Sequence, residues 1–97
     1  MKFVFAMVVL IFVAAPLWAD TAFETDVIET SGGDLQITFI GHGTLMFLYD
    51  GETIHIDPFG RVADYNTLPK ADVVLLTHHH GDHLDVDALA DIRTEET

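Results

Sequence analysis

The sequence predicts an α/β fold made mainly of β-strands with one short helix. Three observations support this class: residues 35–39 alternate between apolar and polar side chains, Asp50-Gly51 separates two strand-like segments, and residues 71–77 form an apolar run before a helix-start signal. Alternation is typical of a half-covered strand, Asp-Gly of a tight hairpin, and a continuous apolar run of a strand covered on both faces. The 97 residues allow at most one small domain.

The first 19 residues are typical of a secretory signal peptide rather than of the folded domain. A basic start at Lys2 precedes an almost unbroken apolar run over residues 3–15, and Ala19-Asp20 forms a plausible cleavage junction. The alternative is an uncleaved membrane anchor, for which the apolar run is short. We therefore expect an exported protein, periplasmic or secreted, without stable membrane association after cleavage.

Residues 20–34 are polar and rich in turn formers, and they predict an exposed lead-in with a short edge strand near Val27 and Ile28. The domain proper then spans residues 35–97. Its predicted elements share clear boundary signals and are, in order, a strand over 35–39, a hairpin of 44–49 and 52–57, a loop over 59–70, a strand over 71–77 and a helix after Asp85. Asp85 is a good N-cap, and Val86, Leu89 and Ala90 give the helix an apolar stripe.

The charge balance excludes several kinds of partner. Sixteen acidic residues face four basic ones, for a net charge of −12, and no basic cluster is present. Binding to nucleic acid or to an anionic membrane through basic patches is therefore not expected. The sequence has no cysteine, so it has neither a disulfide nor a lipoprotein attachment site.

The residues most indicative of chemistry are His78-x-His80-x-Asp82-His83, directly after the apolar run. Imidazole and carboxylate groups suit Zn²⁺ and neighbouring divalent ions. In an extended segment, side chains at i and i+2 point the same way, so the first two histidines can share an ion while His79 points elsewhere. A turn at Gly81 then lets the last two residues converge. The alternative is a solvated histidine-rich loop.

With this motif, the chain resembles the metallo-β-lactamase-fold hydrolase superfamily. Residues 40–44, Ile-Gly-His-Gly-Thr, resemble the first-strand Gly-His element of a branch that includes the ascorbate-6-phosphate lactonase-like proteins. Residues 53–59, Thr-Ile-His-Ile-Asp-Pro-Phe, resemble the strand ending in Asp-Pro in the same branch. The resemblance implies an αββα sandwich, of which this chain would hold an incomplete amino-terminal half.

The resemblance also implies roles for individual residues. His78 and His80 would bind a first ion, and Asp82 and His83 a second, with Asp82 also hydrogen-bonding the attacking water. Asp57 would steady the ligand loop from a strand end. The ions would be divalent, with Zn²⁺ the first choice and Mn²⁺ or Fe²⁺ as alternatives. The reaction would be hydrolysis of an ester, lactone, amide or phosphodiester of a small-molecule substrate through a metal-bound hydroxide.

Several alternatives stay open. His42 would lie near the pocket mouth or serve as a structural histidine, and Asp57 would otherwise only cap the turn at Pro58. His55, between two isoleucines, is expected on a strand face rather than at the metal. Because the family's further ligands lie downstream of the motif, the chain is expected to be a truncated hydrolase. The other readings are a non-catalytic metal-binding remnant and a half-domain or oligomer completed by a partner chain.

Overall fold

The fold is one five-stranded sheet with a short helix, in a computed structural model that describes residues 23–97. The strand order is β1-β2-β3-β4-β5, with antiparallel pairing up to β4 and parallel pairing of β4 with β5. The elements are β1 Glu24–Thr30, β2 Gly33–Gly41, β3 Thr44–Tyr49, β4 Glu52–Ile56, a 3₁₀ helix Tyr65–Thr67, β5 Val73–Leu75 and α1 Val86–Ile92. The predicted signal peptide and its cleavage junction lie outside the described residues.

The three antiparallel pairings come from tight turns that the sequence encodes. Asp50 and Gly51 have φ of 49° and 76°, the left-handed conformation that a two-residue hairpin turn requires, so the predicted hairpin is confirmed. His42 and Gly43 form the turn between β2 and β3, where Gly41 pairs with Thr44. The predicted short edge strand in the lead-in is longer than expected, because β1 pairs with β2 over all seven of its residues.

The apolar segment at residues 71–77 differs from its prediction. Only Val73–Leu75 is a strand, and in residues 23–97 one of its faces is uncovered, as fits the incomplete half of a sandwich that the sequence predicts. Within residues 23–97, β5 pairs only with β4, and Val73 and Leu75, on the sheet face opposite the core, are 37% and 51% exposed. Val74 points to the other face of the sheet and packs against the core.

The core lies where one face of the sheet meets the 59–70 loop and α1. Its fully buried members are Tyr65, Ala71, Ala88 and Ile92. The predicted apolar stripe of Val86, Leu89 and Ala90 is therefore wrong. Val86 is 69% exposed, and the buried residues of α1 are Ala88 and Ile92, which form an i, i+4 pair. The amide of Ala71 donates to the carbonyl of Ile92 at 2.8 Å and fixes which side of the helix faces inward.

The opposite face of the sheet is apolar and only partly buried. By strand register, its members from β2 to β5 include Ile37, Phe39, Leu45, Phe47, Ile54, Ile56, Val73 and Leu75. All of them are half-exposed or exposed in the described part of the chain. Among residues 23–97, α1 is the longest helix, and none has the length and apolar character needed to span a bilayer.

Candidate metal centre

The ligand loop begins where β5 ends and closes through a turn before α1. His78 and His80 lie in this loop, in the predicted order of strand, ligand loop and helix. After His80 the chain turns back on itself, because the carbonyl of His80 accepts the amides of His83 at 2.9 Å and Leu84 at 2.7 Å. The rings of His78 and His80 still meet, with centroids 4.6 Å apart.

Two groups of metal-binding side chains form at this loop, and they share one carboxylate. One ligand atom from each of His78, His80 and Asp82 lies within 4.8 Å of the others, and the same holds for His42, Asp82 and His83. The structure thus brings together all four residues of the predicted motif and adds His42 to them. His79 is exposed and belongs to neither group.

Asp57 ties this loop to the sheet. It follows β4, is 2% exposed and has a φ of 46°. Its Oδ1 accepts the Thr77 amide at 2.7 Å, and its Oδ2 accepts the Thr77 hydroxyl at 2.6 Å and His83 Nδ1 at 2.8 Å. These partners lie in the ligand loop, not in the turn at Pro58. The Asp57 amide in turn donates to the carbonyl of Leu75 at 3.0 Å, which joins the ends of β4 and β5.

These hydrogen bonds decide the charge of Asp57 and the tautomer of His83. Burial by itself would raise the pKa of Asp57, but the donors from Thr77 and His83 outweigh it and hold the pKa below the usual aspartate value. An ionised carboxylate only accepts, so His83 donates from Nδ1. In the neutral ring Nε2 then carries the lone pair that can bind a metal, and it lies 3.6 Å from Asp82 Oδ2. A carboxylate behind a histidine ligand is a common arrangement at metal sites.

His42 reaches the loop from the turn between β2 and β3. Its Nε2 lies 2.8 Å from Asp82 Oδ2, and its ring centroid is 5.3 Å from that of His83. The hydrogen bond from His42 is the main cause of the lowered pKa of Asp82. The next residue, Gly43, leaves room for the His83 ring, because a Cβ at Gly43 would lie 2.9 Å from His83 Cε1.

Two other polar residues have the structural positions that the sequence predicts. His55 is a fully buried strand residue whose Nε2 lies 2.9 Å from the carbonyl of Pro69, away from the ligand loop. Asp85 caps α1 by accepting the amides of its first turn and also accepts the Gly60 amide at 2.8 Å. The residue that the sequence reading missed is Thr77, whose one available signal was its place between the apolar run and the first histidine.

A His-x-His-x-Asp-His loop between a parallel strand and a helix, backed by a buried aspartate, defines a metal-centre unit of the metallo-β-lactamase type. Residues 36–94 match the family described as Beta-lactamase superfamily domain, and the chain belongs to that family. The family resemblance and the fold class read from the sequence are thereby confirmed, the latter as a partial domain.

Similar proteins carry metal-dependent hydrolase names. The chain is 48% identical over 63 residues to a UPF0173 metal-dependent hydrolase of Flavobacterium johnsoniae, a match that covers 58% of this chain and 28% of the relative. It is 44% identical over 54 residues to one from Geobacillus thermodenitrificans, covering 52% and 24% respectively.

A solved structure agrees with both sequence matches. A protein of Parabacteroides distasonis ATCC 8503, assigned as a metal-dependent hydrolase, superimposes with a TM-score of 0.75 at 49% identity, over 77% of this chain and 34% of that one. The chain thus spans between 24% and 34% of the length of these relatives.

Proposed function

We propose that this chain supplies the metal-ligand loop of a divalent-metal-dependent hydrolase acting on small molecules. The observation that carries the proposal is the pair of ligand groups that share Asp82 at the end of β5. The relatives' names, metal-dependent hydrolase, support the same class. Both the metals and the hydrolytic activity belong to the proposal.

The donor set fits the proposed ions. Histidine nitrogens and a carboxylate oxygen are the ligands that Zn²⁺ uses in catalytic sites, and Mn²⁺ and Fe²⁺ accept the same groups. His78 and His80 would hold one ion, and Asp82 and His83 the other. The hydrogen bond from His83 Nδ1 to Asp57 supports this assignment, because in the neutral imidazole it places the lone pair on the opposite ring nitrogen.

The residues of the chain would then prepare a hydrolytic site. A bound divalent ion lowers the pKa of water toward ~7 and so provides a nucleophile at neutral pH. Asp82, ionised and 42% exposed, can accept a hydrogen bond from that water and orient it, while His42 holds its carboxylate from the other side. Esters, lactones, amides and phosphodiesters are all candidate substrates. Export of the chain through its leader is part of the same proposal.

Calorimetric titration of the chain with Zn²⁺ and with Mn²⁺ tests the metal assignment. Replacing His78 and His80 together with alanine should lower the affinity at least about tenfold, because each removes a direct ligand. The matched control is His79→Ala, which removes an exposed histidine of the same loop that belongs to neither group. Equal losses of metal affinity in the control and in the double variant would indicate a solvated histidine-rich loop rather than a metal site.

Activity is measured separately with generic lactone, ester and phosphodiester substrates. Metal-dependent turnover that disappears in Asp82→Asn would support the hydrolase. Specific metal binding with no turnover by the wild-type chain fits both a ligand loop that needs the rest of the hydrolase and the alternative, a metal-binding chain that is not catalytic. The titration thus tests the metal site, and the turnover assay tests whether the chain is catalytic by itself.

A further inference from the structure

We propose that Thr77 is a positioning residue whose hydroxyl links Asp57 to His78 and fixes the tautomer of that histidine. This inference rests on the proposed metal centre. Thr77 Oγ1 lies 2.6 Å from Asp57 Oδ2 and 2.8 Å from His78 Nδ1, so one hydroxyl touches both groups. Neither contact was expected from the sequence.

The direction of both hydrogen bonds follows from the single proton of the hydroxyl. An ionised carboxylate has no proton to donate, so the Thr77 hydroxyl must donate to Asp57. Its oxygen can then only accept in the second contact, and His78 must supply the proton from Nδ1. In its neutral form His78 is therefore held as the Nδ1–H tautomer, with Nε2 carrying the lone pair that a metal needs.

The Asp57 carboxylate thereby fixes the tautomer of one histidine in each of the two proposed groups of ligands. Asp57 acts directly on His83, through its Nδ1, and indirectly on His78, through Thr77. The two rings lie side by side, with centroids 3.9 Å apart and planes tilted by 41°. Their metal-binding nitrogens are thus selected by one buried charge at the end of β4.

The test compares Thr77→Val, which removes the hydroxyl and keeps the shape, with Thr77→Ser, which keeps the hydroxyl. The first readout is the tautomer of His78 in the metal-free chain, from ring ¹⁵N shifts at about pH 8, above the usual histidine pKa of ~6.5. Wild type and Thr77→Ser should show Nδ1–H at His78. Thr77→Val should show a mixture, while His83 keeps its Nδ1–H through Asp57.

The second readout is metal affinity by the same titration. Thr77→Val should bind Zn²⁺ about 10- to 100-fold more weakly, the usual range for losing the partner behind a ligand. Thr77→Ser should stay within about threefold of wild type. Backbone amide spectra of β3 and β4 in each variant establish that the fold is kept.

Two results would overturn the proposal. One is a His78 that stays in the Nδ1–H form in Thr77→Val, and the other is a Thr77→Ser variant that loses as much affinity as Thr77→Val. If the wild-type chain binds neither Zn²⁺ nor Mn²⁺, the proposed function fails. The tautomer comparison still decides the role of Thr77 in that case, because it uses the metal-free chain.

Discussion

Replacing Asp57 should destabilise the fold as well as the ligand loop. Its carboxylate is buried and accepts hydrogen bonds from the Thr77 amide, the Thr77 hydroxyl and His83. Asp57→Asn keeps the shape and tolerates a φ of 46°, because asparagine adopts the left-handed region more readily than other non-glycine residues. This substitution therefore isolates the charge from the backbone conformation.

The expected magnitude follows from the bonds that are lost. Hydrogen bonds to a charged group contribute about 1.5–3 kcal/mol each. Asparagine retains one accepting oxygen, so we expect Asp57→Asn to lower the free energy of unfolding by about 3 kcal/mol. Asp57→Ala should lose ~1–2 kcal/mol more, because alanine is disfavoured in the left-handed conformation.

The assay is urea unfolding followed by circular dichroism, with the exposed Asp26→Asn on β1 as the charge-matched control. The pKa of Asp57 is lower in the folded chain than its ordinary value of 3.8. Its stabilisation should therefore be complete above that value and be lost as the pH falls through the lower, folded-state pKa. The difference in the free energy of unfolding between wild type and Asp57→Asn should thus be constant near neutral pH and become smaller in acid. A difference in unfolding free energy that grows in acid would refute the reasoning, and so would a loss of stability in Asp57→Asn no larger than that in Asp26→Asn.

Two further predictions concern Asp85 and His42. Asp85→Ala should lower stability by about 1–2 kcal/mol in thermal unfolding, because it removes the N-cap of α1, whereas Asp85→Ser should recover the cap but not the bond to Gly60. His42→Ala should weaken Zn²⁺ binding by removing the donor to Asp82, and His42→Gln should restore part of the affinity. Equal losses in both His42 variants would mean that His42 is itself a ligand.

The sequence predicted best those features that depend on local chemistry. Asp50-Gly51 specified its hairpin because few residues adopt left-handed φ easily, and Asp85 specified the start of α1 through its own first-turn amides. The clustering of His78, His80, Asp82 and His83 was also predictable, because a turn of six residues brings them together whatever surrounds it. In each case the partners are close neighbours along the chain.

The features that were predicted wrongly depend on distant partners. The buried side of α1 is set by where the helix meets Ala71 and the 3₁₀ helix, which periodicity over seven residues does not determine. The exposure of Val73 and Leu75 follows from their place on the sheet face opposite the core, which the local sequence of β5 does not reveal. The contacts of Asp57 with Thr77 and His83 span 20 and 26 residues, so the sequence could suggest a supporting acid but not its partners.

The hydrogen bonds of Asp57 have a consequence for the order in which the chain folds and takes up metal. Asp57 orients His83 directly from the end of β4, and in the arrangement proposed above it also orients His78 through Thr77. Because these contacts need the ends of β4 and β5 to be joined, the conformational entropy of the two side chains would be lost on folding rather than on metal binding. In small domains whose ligands are ordered by the metal itself, binding and folding are one event. Here the ion would bind a site whose histidines are already oriented by folding, so metal could dissociate and rebind without unfolding of the sheet.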